Sequence, residues 1–244
     1  MKQHEVVKLA LARNGGFATL GHLYQVVTKM PEWKSSSLDQ YANIRRIVQK
    51  TSGIFRIRIG LWGLEAQKAA IGLQLALPEY APQATVEIYS HSYYQGLLVE
   101  LGNLKHYETA IPAQDKNKPF LKQTLAAVAT LPKPYDFTFP NIMSHARTID
   151  VSWYNERHYP DSFFEVEHST DIYNSLRKFV EFQDFKLKFC IVADQQRKGE
   201  FDKKLKSAAY KAVANRVKFL SYEDLSGWHS KLSESAAQEA AIQG

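Results

Sequence analysis

Two short segments of the chain alternate strictly between polar and apolar residues: Thr148-Ile149-Asp150-Val151-Ser152-Trp153 and Phe164-Glu165-Val166-Glu167. Successive side chains of a β-strand point to opposite faces, so each segment predicts a strand with its acidic residues on one face. If the two strands pair, the carboxylates of Asp150, Glu165 and Glu167 converge on one side of a sheet. Such carboxylates repel one another unless cations lie between them, and hard cations such as Mg²⁺ prefer oxygen ligands. The two segments therefore predict a cation site.

Helix-like and strand-like patterns alternate on both sides of this pair. Helices are predicted at about 89–103, 118–131, 170–183, 196–214 and 222–233, and strands at 106–111, 147–153, 162–168, 186–193 and 216–221. Strand pairing early and helix–strand alternation late are typical of an α/β domain, with a mixed sheet flanked by helices. Asn155 and Pro160 lie between the two acidic strands and favour a hairpin turn there.

The first 67 residues predict a separate, basic module. Apolar residues at helical spacing indicate three helices, the third from Leu38 to Val48. The alternating run Phe55-Arg56-Ile57-Arg58-Ile59, followed by Gly60, indicates a hairpin. Three helices and a hairpin make a winged helix-turn-helix. Residues 1–67 carry ten Lys/Arg and four Asp/Glu, whereas residues 68–244 carry 21 of each, so the whole excess charge of +6 lies in this module and favours a polyanionic partner.

Composition and punctuation set the domain boundaries. Pro78 and Pro82 break an Ala- and Gln-rich segment, so we expect a linker at 68–85 between the basic module at 1–67 and an α/β domain at 86–233, followed by a frayed tail at 234–244.

The same sequence excludes several classes of protein. No run approaches the ~18 apolar residues of a membrane span, and the N-terminus lacks the apolar core of a secretion signal. The lone Cys190 excludes an intramolecular disulfide and a Cys-based zinc site. We therefore expect a cytoplasmic protein without a membrane partner.

The α/β domain resembles the PD-(D/E)XK superfamily of restriction-endonuclease-like nucleases. The resemblance rests on an acid on the second strand and an acid-x-charged pair on the third, on the run from Phe164 to Thr170, and on Ile191-Val192-Ala193-Asp194. It implies that Asp150 and Glu165 hold Mg²⁺, for which Mn²⁺ can substitute, and that Glu100 on the first helix is a further ligand. Glu167 would be catalytic, either by accepting a proton from the attacking water or by binding a second metal ion, although the superfamily usually has a lysine there.

The basic module resembles the HARE-HTH winged-helix family through Asn14-Gly15-Gly16-Phe17-Ala18-Thr19-Leu20 and the ending Gly60-Leu61-Trp62-Gly63-Leu64. In such modules the third helix enters the DNA major groove and the wing meets the backbone. The resemblance therefore implies DNA contacts by the polar residues of both elements. On the helix these are Arg45, Arg46 and Lys50 with Gln40 as a base reader, and on the wing Arg56 and Arg58 as phosphate ligands.

These observations favour a Mg²⁺-dependent endonuclease of double-stranded DNA, of the type II restriction kind. A homodimer would supply two active sites for two strands, and the host would need a cognate DNA methyltransferase. The alternative is a DNA-binding regulator or defence subunit with a catalytically inactive nuclease fold. An RNA-directed nuclease ranks last, because no set of aromatic residues for stacking single-stranded bases is evident. His91, near the start of the first long helix, is expected to be a solvated polar residue.

Overall fold

The computed structural model describes residues 1–34, 39–168 and 171–243. It divides into two compact units: residues 1–82 with 226–244 form the first unit, and residues 83–225 form the second unit. This division differs from the predicted boundaries because the C-terminal segment returns to the first unit. Leu38, predicted to begin the third helix, lies outside the described residues.

The first unit is built from short helices and a small sheet. Its elements are α1 (Gln3–Arg13), β1 (Phe17–Thr19), α2 (Leu20–Val27), α3 (Gln40–Lys50), β2 (Ile54–Arg58), β3 (Leu61–Leu64) and α4 (Lys68–Gln74). The three strands form an antiparallel sheet in the order β1-β3-β2. The predicted hairpin is confirmed, and Gly60 turns it with a φ of 76°, which a residue with a Cβ rarely adopts.

The second unit contains the remaining strands and helices. They are α5 (Gln83–Leu104), β4 (Glu108–Ala110), β5 (Pro119–Phe120), β6 (Gln123–Thr124), α6 (Leu125–Val128), α7 (Pro140–Ala146), β7 (Val151–Tyr154), β8 (Pro160–Glu167), α8 (Ile172–Val180), β9 (Lys188–Ala193), α9 (Lys198–Leu205), β10 (Val217–Ser221) and the start of α10 (Tyr222–Gln243). All five strands predicted for the α/β domain are present. The helix predicted at 118–131 is wrong: that segment forms the β5–β6 hairpin and the short α6, while α7 occupies part of a predicted loop.

The five main strands of the second unit form one mixed sheet in the order β10-β9-β8-β7-β4. Strand β8 runs antiparallel to β7 and parallel to β9, and β9 runs parallel to β10. The predicted mixed α/β sheet and the predicted pairing of the two acidic strands are therefore confirmed.

Helices cover both faces of this sheet. On one face Phe163 packs with Leu176 and Phe179 of α8 in a buried aromatic and aliphatic core. On the other face the indole of Trp153 donates a hydrogen bond of 3.1 Å to the carbonyl of Leu98 on α5. Helix α5 lies close to β5 at Gly96, where a Cβ would lie 2.1 Å from the ring of Phe120. This close contact fixes the position of α5 against the rest of the second unit.

The C-terminal tail is helical rather than frayed, because α10 continues without a break to Gln243. From Ser226 onward it belongs to the first unit, where Ala237 packs against the hydrophobic core. Glu234 forms an ion pair with Arg45 of α3. Apolar burial and this ion pair together hold a segment that its alanine-rich composition alone does not anchor. Among the described residues no helix has the length and hydropathy needed to span a membrane.

Candidate active site

Three carboxylates meet at one edge of the mixed sheet. Asp150 immediately precedes β7, and the register pairs its neighbour Val151 with Phe164 of β8. The carboxylate of Asp150 accepts a hydrogen bond of 2.8 Å from the backbone N–H of Val166. Glu165 lies beside it near the carboxyl end of β8. The parallel strands β8, β9 and β10 all end at this edge, which is where α/β sheets commonly bind ligands.

Glu165 and Glu167 are both deeply buried, with 3% and 4% of their surface exposed. They point to the face of the sheet that α8 covers, the same face as Phe163. From α8 the hydroxyl of Ser175 donates to Glu167, and its Oγ lies 3.3 Å from Glu165. The two-residue period of the strand therefore places Glu165 and Glu167 on the same face, as the sequence predicted.

The environment of Glu165 disfavours its charge. Burial raises its pKa well above the ordinary value, and the negative charges of Asp150 and Glu167 raise it further. The ammonium of Lys178 opposes these effects. The pKa stays raised, because the ammonium does not offset burial and the two neighbouring negative charges together.

Lys178 is the cation that the sequence alone did not reveal. Its Nζ lies 3.0 and 2.8 Å from the two carboxylate oxygens of Glu165 and 2.9 Å from the carbonyl oxygen of Thr148. Burial lowers the pKa of Lys178, but the charge of Glu165 and the hydrogen bond to it outweigh this and raise it overall. The only available signal was weak: Ser175 and Lys178 stand three residues apart, so they share one face of α8.

His91 also joins the site, although a solvated position was expected. Its Nε2 lies 3.2 Å from Asp150 Oδ2, and its Nδ1 lies 3.1 Å from the Oε1 of Gln95. The amide nitrogen of Gln95 donates to the carboxylate of Asp115 at 2.7 Å and to the backbone carbonyl of Asp150 at 3.0 Å. These two acceptors fix the orientation of the amide, so Oε1 faces the ring and Nδ1 must carry a proton.

With Nδ1 protonated and Nε2 3.2 Å from the carboxylate of Asp150, the geometry favours the doubly protonated, imidazolium form of the ring. Burial lowers the pKa of His91, but the hydrogen bond to Asp150 and the charge of Asp150 raise it by more. Gln95 itself is fully buried. The side of the site facing α5 is thus held by a rigid polar network that ends on Asp150.

Glu100, the predicted ligand on α5, lies on a different part of the helix from His91. It follows His91 by nine residues on α5, which corresponds to about 13.5 Å along the helix and to roughly the opposite side of it. The α5 side chain that lies at the carboxylate of Asp150 is that of His91. The period of 3.6 residues per turn therefore places His91 and Glu100 on different sides of α5.

These residues fit a divalent cation in the type of donor atom that they offer. Among the described residues no three His, Cys, Asp or Glu side chains are grouped so that they could hold a metal ion. Carboxylate oxygens are nevertheless the ligands that Mg²⁺ prefers, and the repulsion between Asp150 and Glu165 is a cost that a dication would offset. In the arrangement described, Lys178 and His91 supply the positive charge.

The raised pKa of Glu165 predicts a stability effect in the metal-free protein. Between the ordinary value of 4.5 and its own raised pKa, the folded state binds more protons than the unfolded state, so stability falls as pH rises through that window. Glu165→Gln imitates the protonated form and still accepts from Lys178. We expect its Tm at pH 8 to exceed that of the wild type by at least about 2 °C, the shift that ~1 kcal/mol produces in a chain of this size.

Thermal denaturation in the presence of a chelator measures this difference, and the gain should disappear as the pH falls to about 4.5. Glu156→Gln is the matched control, because Glu156 is exposed in the β7–β8 turn and its replacement should leave the Tm unchanged. A Tm for Glu165→Gln below that of the wild type at pH 8 would refute the argument.

The basic residues of the first unit divide into two groups. Arg46, Lys50 and Arg56 are exposed, and Arg58 is half-buried next to a bulge in β2. Arg45 instead turns toward α10, where it pairs with Glu234 and lies 3.4 Å from the hydroxyl of Tyr24. Gln40 turns the same way.

Gln40 accepts a hydrogen bond of 3.2 Å from the indole of Trp33 and lines a cavity of about 260 Å³. The alanines of α10 close the other side of this cavity. Gln40 and Arg45 therefore face the protein, whereas Arg46 and Lys50 face solvent. The sequence of residues 1–67 gave no indication that α10 packs there, because α10 lies almost 200 residues away along the chain.

Comparison with known families assigns the chain to the type II restriction enzymes. The family model for the type II restriction enzyme NmeDI C-terminal domain matches residues 76–241, about two thirds of the chain, so the chain belongs to this family. Membership implies a restriction endonuclease that acts on DNA. No curated protein matches the chain, and no solved structure does.

Proposed function

We propose that this protein is a Mg²⁺-dependent type II restriction endonuclease that hydrolyses phosphodiester bonds of double-stranded DNA. The observation that carries the proposal is the cluster of Asp150, Glu165 and Glu167 with Lys178 at the edge of the sheet, in a member of a restriction-enzyme family. The mixed sheet flanked by helices supports a PD-(D/E)XK type of fold. Acids at the end of a β-hairpin next to a lysine suit phosphodiester hydrolysis.

Each residue of the site has a proposed task. Asp150 and Glu165 would hold Mg²⁺ (or Mn²⁺), which when bound neutralises phosphate charge and acidifies water. Glu167, positioned by Ser175, would accept the proton of the attacking water. The ammonium of Lys178 would stabilise the charge that develops on the phosphate oxygens. Glu100, predicted as a ligand, has no task in this proposal, because His91 stands at Asp150 instead.

The first unit is proposed to be a winged helix-turn-helix that grips the duplex. Three helices and a three-stranded sheet with a glycine-turned hairpin support this interpretation. Exposed Arg46, Lys50 and Arg56 would contact phosphates. Arg45, by contrast, would brace α10. Cutting both strands favours a homodimer, and the host would need a cognate DNA methyltransferase.

Cleavage of a mixed duplex substrate with Mg²⁺, followed by sequencing of the ends, tests the proposal. We expect discrete ends at one short recognition sequence and no cleavage when the metal is chelated. Random ends would overturn sequence-specific restriction.

Salt-sensitive DNA binding without hydrolysis under Mg²⁺ or Mn²⁺ would contradict the proposal in a different way. It would indicate a regulator or defence subunit with an inactive nuclease fold. Cleavage of RNA in preference to duplex DNA would also overturn the assignment of substrate.

A further inference from the structure

A groove of about 690 Å³ lies in the second unit beside the carboxylate cluster. It runs between α7, α8 and the segment around Tyr210. Its lining side chains are His145, Asn174, Arg177, Lys178, Val180, Glu181, Ala209 and Tyr210. A volume of this size accommodates a nucleotide-sized group.

The groove and the carboxylate cluster share Lys178. Asn174, Arg177, Lys178 and Glu181 follow one another at helical spacing, so they lie along one face of α8. Lys178 lines the groove, and its ammonium contacts Glu165. A strand whose phosphate reached Lys178 would therefore continue into the groove.

The groove presents a cation without a counter-ion. Arg177 is exposed, and it makes no hydrogen bond or ion pair with any residue that the structure describes. Nearby Lys204, by contrast, is paired with Asp171 and Glu200. The acid of the groove, Glu181, lies 4.0 Å from His145. With Arg177, Lys178 and Glu181 among its lining side chains, the groove has a formal charge of +1 when His145 is neutral.

We propose that this groove seats a backbone phosphate of the DNA strand next to the phosphate that is cut, with Arg177 as its main ligand. The planar guanidinium offers two parallel donors that match a phosphate, and the Asn174 side chain, which can also donate, lies one turn away on the same face. This inference rests on the proposed function and deepens it, because it defines the path of the substrate strand past Lys178. A free phosphate lacks the flanking strand and should bind far more weakly.

The salt dependence of DNA binding tests the proposal without any need for cleavage. The slope of log K against log salt concentration is negative, and each phosphate contact that is lost reduces its magnitude by about 0.9. In the presence of a chelator we expect Arg177→Ala to reduce the magnitude of the slope by about that amount, for DNA of any sequence, and Arg177→Lys to restore it. Arg157→Ala is the matched control, because Arg157 is exposed in the β7–β8 turn, at the other end of those strands from Asp150.

Four outcomes would overturn the inference, and they can be told apart. If the wild type binds DNA and Arg177→Ala keeps the wild-type slope, the groove does not hold a phosphate, although the proposed function stands. An equal loss in Arg157→Ala would show a general effect of net charge. If the wild type binds no DNA at all, the proposed function fails together with the inference. Binding of inorganic phosphate as tightly as of a duplex would show a site for the free anion.

Discussion

Replacing Asp150 by Asn, or Glu165 by Gln, is expected to lower the rate of DNA cleavage by at least about 1,000-fold, equivalent to about 4 kcal/mol of transition-state stabilisation. Both substitutions keep the shape of the side chain and remove a negative charge from the place where the cation is proposed to bind. Asp150 Oδ2 also accepts from Val166 N–H, and an amide oxygen at that position still accepts. The folded structure should therefore survive while the chemistry is lost.

Single-turnover cleavage of a duplex that contains the recognition sequence measures this effect, and the affinity for the same duplex should change by no more than about threefold. Glu156→Gln serves as the control, since it removes one acid from the same hairpin at its far, exposed end. Full cleavage by both Asp150→Asn and Glu165→Gln would sink the assignment of the site. Loss of cleavage together with loss of binding would point to a folding defect, which circular dichroism distinguishes.

The acidic hairpin could be read from the sequence because its information is local. A period of two fixes which side chains share a face, and a turn only a few residues long fixes the pairing of β7 with β8. Asp150, Glu165 and Glu167 therefore follow from 20 consecutive residues. The parallel strands β9 and β10 also carry strong apolar patterns, which is why the sheet as a whole was predictable.

The cations of the site were not predictable, because they depend on how helices pack on the sheet. Lys178 is one of many lysines at exposed-looking helical positions, and only the rotation of α8 brings it to Glu165. The same applies to α5, where the choice between His91 and Glu100 depends on the rotation of the helix about its axis. Spacing along a helix gives relative angles but no absolute direction.

Local propensity also misled at two places. The segment at 118–131 is rich in Ala, Leu and Lys, which favour helices, yet Phe120 is needed over Gly96 of α5 and the chain forms a short hairpin there. The alanine-rich C-terminus lacked any local reason to be anchored. Its partners, among them Arg45, lie at the other end of the chain. Tertiary contacts override propensity in both cases.

Replacing Lys178 by Ala is expected to lower the single-turnover rate of cleavage by about 100- to 1,000-fold. The ammonium contacts both oxygens of Glu165, one of the buried acids of β8, at 2.8 and 3.0 Å. Its removal also takes away the influence that lowers the pKa of Glu165. The acidic limb of the pH–rate profile should therefore move to higher pH.

This shift distinguishes a lysine that acts on the site from one that only supports the fold. Lys178→Arg keeps the charge with a different shape, so it should recover part of the rate and return the acidic limb toward its wild-type position. Lys186→Ala is the control: Lys186 is exposed beyond the opposite end of β9, and its removal should change neither rate nor profile. A wild-type rate for Lys178→Ala at every pH would show that this lysine merely pairs with Glu165. In that case Glu167 would have to activate water without help from a neighbouring ammonium.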